Sequence, residues 1–440
     1  MRGIVGLVRT DSVFRDFLYG RSLLWYTRAM NIKRFLLGAL AALVGSAGAA
    51  SVPSFADFDA RARAGERLNV VFLGCSLTWG CNATDHARTS YRAIVARQME
   101  AKYPDAHFAF HDAAIGGTDA LLSVFRLDRD VFSREPDLVF FDSTANDGLY
   151  DADPDKLAAY ESTVRRLTER GVPVVAMIFG FRNDMVRSKF PTMKRRDAHL
   201  AIAKAYGCGV GDAIEHVTKA IESGATSAGQ LWPFDIIHPC DKGYALFAEA
   251  AWAGFEEAVA EKRVGTVPSE MLHGTRFEGA RRVRLADHAK ALPKGWTPAP
   301  CRLDAICYDF LCSRWMDGVV RGANFKTVRE GDWNFKNVDI PAPAPLKFRT
   351  NATWIAVFGE STNETCDFAV SVDGAEPKPV HFNRWGGNGY LRSTLASDLE
   401  DGKEHEITIL PTFVEGKIGE LRLDSVLLAG AAEPSFTIVP

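Results

Sequence analysis

Asn69-Val70-Val71-Phe72-Leu73-Gly74-Cys75-Ser76-Leu77-Thr78 sets an apolar run directly against a glycine and a serine. The run does not alternate, as expected of a strand covered on both faces. A chain leaving such a strand through glycine can turn tightly and present the next hydroxyl at the sheet edge. Three more stretches read as strands: His107–His111, Asp137–Phe141 and Pro173–Phe179. Longer amphipathic stretches between and after them read as helices: Ser90–Lys102, Ala120–Phe132, Pro154–Arg170, Arg195–Tyr206 and Lys242–Glu261. This alternation predicts a three-layer α/β domain with a parallel sheet. Its crossovers should be right-handed, with functional groups at the carboxyl ends of the strands.

After about Val264 the helical periodicity stops. Short runs such as Trp354–Phe358, Asp367–Val372, Glu406–Leu410 and Leu421–Leu428 alternate or are β-branched, with Asp373-Gly374, Asp401-Gly402 and Glu415-Gly416 as turns. The pattern predicts an all-β sandwich, jelly-roll-like, over residues 265–440. The α/β domain then spans residues 51–264, with the boundary between Lys262 and Pro300. Pro341–Pro345 reads as a stiff loop inside the sandwich.

Residues 1–50 read as an N-terminal extension and signal peptide. Lys33 and Arg34 precede an apolar run from Phe35 to Val44, followed by Ser46, Ala47, Gly48, Ala49 and Ala50. That run is too short to span a bilayer, and no cysteine near the cut suggests a lipid anchor. Met30 is a possible true start; the alternative is a membrane-associated helix around Phe17–Tyr26. A secreted or periplasmic protein without a stable membrane anchor is expected. Lys plus Arg total 52 against 55 Asp plus Glu, a net charge of −3. That balance offers no electrostatic basis for binding nucleic acid. Export places the 8 cysteines in an oxidising compartment. Cys208 and Cys240 can be weighed as a pair, and Cys301, Cys307 and Cys312 cluster. No CxxC spacing supports a zinc site there, and neither a metal nor a cofactor is expected.

Four segments fall where chemistry is expected. Gly74-Cys75-Ser76 places a hydroxyl on a strand-to-loop turn, although a serine there is also an ordinary cap of the next helix. Ala114-Ile115-Gly116-Gly117-Thr118 can aim a backbone N–H at a developing oxyanion, or simply start a helix. Asn146, in Thr144-Ala145-Asn146-Asp147-Gly148, can add a side-chain donor, or merely turn the chain. Asp235-Ile236-Ile237-His238 sets a carboxylate against an imidazole whose other nitrogen can take a proton from a serine.

Together, in this order, the four segments resemble the blocks of the SGNH hydrolases, also called GDSL esterases, over about Asn69–Glu261. The resemblance implies a flavodoxin-like hydrolase domain with Ser76 as nucleophile and His238 as base. It further implies Asp235 as orienting acid and Gly117 and Asn146 as oxyanion donors, with Gly116 as the alternative glycine. Cys75 stands where the family has aspartate, and Thr144 where it has glycine. Cys75 is itself an alternative nucleophile. The expected substrate is an acylated, above all acetylated, polysaccharide or oligosaccharide. A lipid or thioester hydrolase, or a non-catalytic glycan-binding protein, is the alternative. Arg182 and Asn183 should lie at the active-site edge as substrate contacts. Arg187 and Lys194-Arg195-Arg196 can meet an acidic glycan or form a solvated charged face. The C-terminal part resembles the sandwich modules of exported carbohydrate esterases. Trp296, Trp315, Trp333, Trp354 and Trp385 are candidate sugar platforms, Trp385 foremost.

Overall fold

The computed structural model describes residues 54–302, 316, 318–380 and 389–439. The expected signal segment, Cys307, Cys312, Trp315 and Trp385 lie outside the described residues. Strands β1 (Arg67–Gly74), β2 (His107–Ala114), β3 (Leu138–Asp142), β4 (Val174–Ile178) and β5 (Gly209–Asp212) form a parallel sheet in the order β2-β1-β3-β4-β5. The helices are α1 (Phe55–Arg63), α2 (Ser76–Trp79), α3 (Tyr91–Lys102), α4 (Ala120–Arg126), α5 (Thr144–Asp147), α6 (Pro154–Glu169), α7 (Lys194–Ala205), α8 (Ala213–Glu222), α9 (Ala228–Leu231) and α10 (Asp241–Ala260). Successive side chains of a strand face opposite ways. Val70 and Phe72 accordingly pack with residues of α1, α3, α8 and α10, whereas Val71 and Leu73 pack with α4, α6 and α7. The chain reverses its direction across the sheet between β1 and β3, so a crevice opens beyond their carboxyl ends.

Strand β5 and helices α1 and α8 were not legible as elements. In β5, Gly209 and Gly211 lie where α10 packs directly on the strand. A Cβ at Gly254 of α10 would sit 2.2 Å from the Val210 carbonyl oxygen, and one at Gly209 would sit 2.9 Å from Gly254 O. The long helix expected over Ala120–Phe132 ends at Arg126 and continues as a π-turn, Leu127–Val131.

The C-terminal part is built of antiparallel strands: β6 (Arg281–Arg284), β7 (Trp296–Ala299), β8 (Val319–Ala323), β9 (Phe325–Arg329), β10 (Phe335–Asp339), β11 (Leu346–Thr350), β12 (Trp354–Ser361), β13 (Asp367–Val372), β14 (Lys378–Val380), β15 (Gly389–Ala396), β16 (His405–Thr412), β17 (Glu420–Ala429) and β18 (Thr437–Val439). One sheet runs β15-β12-β17-β8-β7 with β6 beside β17, the other runs β14-β13-β16-β11-β18, and β9 and β10 form a hairpin. Strands β12 and β17 are buried along their whole lengths. Ile355 and Val357 face the other sheet of the sandwich, while Trp354, Ala356 and Phe358 join the core under α4 and α6. Trp354 stacks on Phe125 at 5.7 Å, with the rings 18° apart. The sandwich is therefore continuous with the α/β core, and Trp296 and Trp354 are buried packing residues, not sugar platforms.

Cys208 and Cys240 do not pair; both thiols are free. Cys240 caps the start of α10, whereas the Cys208 carbonyl accepts from Arg263 just past its end. The 20 residues between rise about 30 Å. No helix among the described residues is long and apolar enough to cross a membrane.

Exposed helix positions gain about 1 kcal/mol when glycine becomes alanine. Gly254→Ala should do the opposite, losing about 1–3 kcal/mol to overpacking against β5. Urea denaturation of the two proteins reads the sign directly.

Candidate active site

Strand β1 delivers the chain to the crevice at Gly74. A Cβ there would lie 2.2 Å from Thr78 Oγ1, so only glycine lets α2 fold back so closely. Cys75 is extended, and Ser76 opens α2. The loop Phe234–His238 approaches from the other side, just before α10. Trp232 Nε1 donates to Ile237 O (3.2 Å), the Arg182 backbone N–H to Ile236 O (2.9 Å), and Cys240 N–H to Leu231 O (2.8 Å). These bonds bring His238 Nε2 to 3.0 Å from Ser76 Oγ. Its Nδ1 lies 3.3 Å from Asp235 Oδ2. With Nδ1–H donating to the carboxylate, Nε2 is left as acceptor for the serine hydroxyl.

The Asp235 carboxylate is held from three directions. Oδ1 accepts the backbone N–H groups of Ile237 (2.6 Å) and His238 (2.7 Å). Oδ2 accepts from Asn82 Nδ2 at 2.8 Å, and the same amide reaches His238 O at 3.3 Å. Partial burial alone would raise this carboxyl's pKa, but the donors outweigh it and keep it below the ordinary carboxylate range. Asn82 was missed in the sequence. Its one local signal is an asparagine that tolerates a positive backbone angle, here φ +68°, in the loop after α2.

Cys75 points away from this site. Its Sγ donates to Asp142 Oδ2 at 3.1 Å, beside Thr78 Oγ1 at 3.1 Å. Burial, then the nearby Asp142 charge, push the thiol well above its usual range, so it stays protonated. Asp142 is fully buried and is itself pushed up to about 6, because burial outweighs its donors.

The two remaining segments meet each other. Asn146 Nδ2 donates to Thr118 O at 2.8 Å, tying the end of β3 to the loop after β2. Gly117 has φ +75°, so the loop turns where a side chain would be strained. Gly116 is buried and Gly117 exposed. Behind them, Asp147 accepts from Ala120 N–H (2.9 Å) and Ser143 Oγ (2.8 Å). Burial, reinforced by the Asp119 charge, raises its pKa.

Arg187, Arg195 and Arg196, after β4, are committed elsewhere. Arg187 pairs with Glu215 and Glu222, and Arg196 with Asp212. Arg195, expected on a charged face, is fully buried and bridges Asp151 and the Gly148 carbonyl below the Asn146 turn. Arg182 is half-buried near Gly229, and Asn183 is exposed. Beside His238 the rim is apolar: Phe234 is 71% exposed and Ile236 53%. Among the described residues, no group of three or more His, Cys, Asp and Glu side chains is placed to hold a metal ion.

Residues 72–246 match the model of the GDSL-like lipase/acylhydrolase family. No curated protein matches the chain. Among solved structures, a two-domain esterase active on acetylated mannans, co-crystallised with mannopentaose, is 19% identical with a TM-score of 0.63. That likeness covers 86% of this chain and 97% of the other. A second structure of a two-domain esterase active on acetylated mannans is 20% identical, also at 0.63, covering 85% of this chain and 94% of that one. At this identity the likeness is one of fold.

Removing the Asn82 amide should loosen the Asp235–His238 pair without emptying the site. Asn82→Ala is expected to lower kcat about tenfold at unchanged KM, as a distorted general-base geometry does; steady-state kinetics on an aryl acetate reads it. Asp142 makes a separate prediction for stability. Its folded pKa lies above the unfolded one, so as pH rises from about 4 to 6 the unfolded state ionises first and stability falls. The shift amounts to about 3 kcal/mol. Asp142→Asn should abolish that loss, seen as a flatter stability profile across this range.

Proposed function

We propose that this serine ester hydrolase, whose residues 72–246 belong to the GDSL-like lipase/acylhydrolase family, removes small acyl groups, above all acetyl, from an extracellular polysaccharide. The observation that carries the reading is the 3.0 Å approach of His238 Nε2 to Ser76 Oγ. As Ser76 Oγ attacks the ester carbonyl, His238 takes its proton, and Asp235 holds the imidazole and stabilises its charged form. The tetrahedral oxyanion sits against the N–H of Ser76, the N–H of Gly117 or Gly116, and the Asn146 amide. One Asn146 hydrogen is engaged by Thr118 O, and the NH2 carries a second. Each donor contributes about 3 kcal/mol or more to lowering the barrier. The oxyanion collapses with departure of the sugar alkoxide, which takes the proton from His238. Water then repeats the cycle on the acyl-serine and releases the acid. Cys75 is disfavoured as nucleophile because its buried thiol faces Asp142.

Support for a glycan substrate comes from the shared two-domain architecture with an esterase active on acetylated mannans and from the export-type N-terminus. Arg182, Asn183, Phe234 and Ile236 are our candidates for contacting the sugar around the scissile acetyl. Among the described residues, Trp333, 90% exposed in the β9–β10 hairpin, is the sandwich aromatic best presented to a polysaccharide.

Acetate release from acetylated mannan and from an aryl acetate should fall to background in Ser76→Ala. Turnover retained in that variant would remove Ser76 from the mechanism.

A further inference from the structure

Three consecutive residues of the loop after β2 are each held by a partner from elsewhere in the chain. Thr118 O accepts from Asn146. Gly117 O accepts from the Tyr390 hydroxyl at 2.6 Å, and the Asp119 carboxylate takes a two-pronged Arg392 guanidinium at 2.5 and 2.8 Å. Tyr390 and Arg392 both belong to β15 of the sandwich, 273 residues away.

Local chemistry does not require this arrangement. Asp119 is the N-cap of α4, where an aspartate ordinarily accepts a backbone N–H of its own helix. Here its side chain makes no capping bond, and Ala120 N–H is taken by Asp147 instead. The capping carboxylate has been given over to the guanidinium of the other domain. At Gly117 there is no side chain to anchor the loop, and the tyrosine hydroxyl holds its carbonyl. A Cβ built on Gly117 would meet only Tyr390 atoms, at 3.5 and 3.7 Å. An oxyanion donor must be held within about 0.5 Å of its working position. A glycine loop at φ +75° meets that demand only if something outside it fixes the peptide planes. The planar fork of arginine on a carboxylate is well suited to this, because two parallel bonds set orientation as well as distance.

We propose that Tyr390 and Arg392 are positioning residues for ester hydrolysis, through which the β-sandwich sets the peptide geometry of the oxyanion loop Gly116–Asp119. The inference rests on the serine-esterase reading above. It makes the sandwich a contributor to the catalytic geometry, whatever it does for glycan binding.

The test uses the full chain carrying Tyr390→Phe, which removes one oxygen, and Arg392→Lys, which keeps the charge but loses the fork. Hydrolysis of an aryl acetate and inhibition by phenylboronic acid, which forms a tetrahedral adduct on a catalytic serine, are measured beside Tm. The expected result is a kcat loss of about tenfold with KM little changed. Boronate inhibition should weaken by the same factor, with Tm within about 2 °C of the parent. Arg392→Lys should retain part of the activity that Arg392→Ala loses. Parental kcat and boronate affinity in both variants, with Ser76→Ala inactive, would overturn the inference and leave the esterase reading standing. So would a loss carried by KM alone, or one that tracks Tm. Activity in Ser76→Ala would take down both.

Discussion

An imidazole nitrogen and a serine hydroxyl 162 residues apart meet at 3.0 Å, and the rest of the molecule is arranged around that meeting. The hydroxyl is fixed by a strand that ends in the only residue able to let the helix fold back against Thr78. The imidazole rides on a loop with no regular structure of its own. Its position depends on Trp232, the Arg182 backbone and a carboxylate saturated by N–H donors. A parallel sheet supplies the common edge at which both can arrive, because the strand order reverses beside β1.

The second constraint is the shared core. The Trp354–Phe358 stretch of β12 and the Val426–Ala429 stretch of β17 are apolar on both faces, because one face closes the sandwich and the other joins the core of α4 and α6. Such a junction resembles a domain interior more than the polar interfaces of loosely tethered modules. The helix it covers, α4, is the one whose N-terminus carries the loop at Gly117. Packing and polar contacts thus converge on one element from the same side.

Much of this was legible in the sequence. Non-alternating apolar runs gave away the first four strands of the parallel sheet, and period-two runs the sandwich. The order of the serine, glycine, asparagine and Asp-x-x-His segments located the crevice. What escaped had physical reasons. Strand β5 is short and glycine-containing, because α10 approaches it closely, and so it lacks the apolar run that marks the other strands. Arg195 looked like surface charge, since nothing local records that it turns inward to reach Asp151 and the Gly148 carbonyl. Cys208 and Cys240 looked pairable until a whole helix length lay between them. Asn82, Tyr390 and Arg392 touch the site only through long-range folding, which no spacing rule encodes.

Intact-protein and peptide mass spectrometry after treatment with a fluorophosphonate addresses the central contact most directly. The account predicts one phosphonyl adduct, on Ser76, whose formation slows by orders of magnitude in His238→Ala. An adduct on another residue, or labelling of Ser76 at the parental rate without the imidazole, would contradict it.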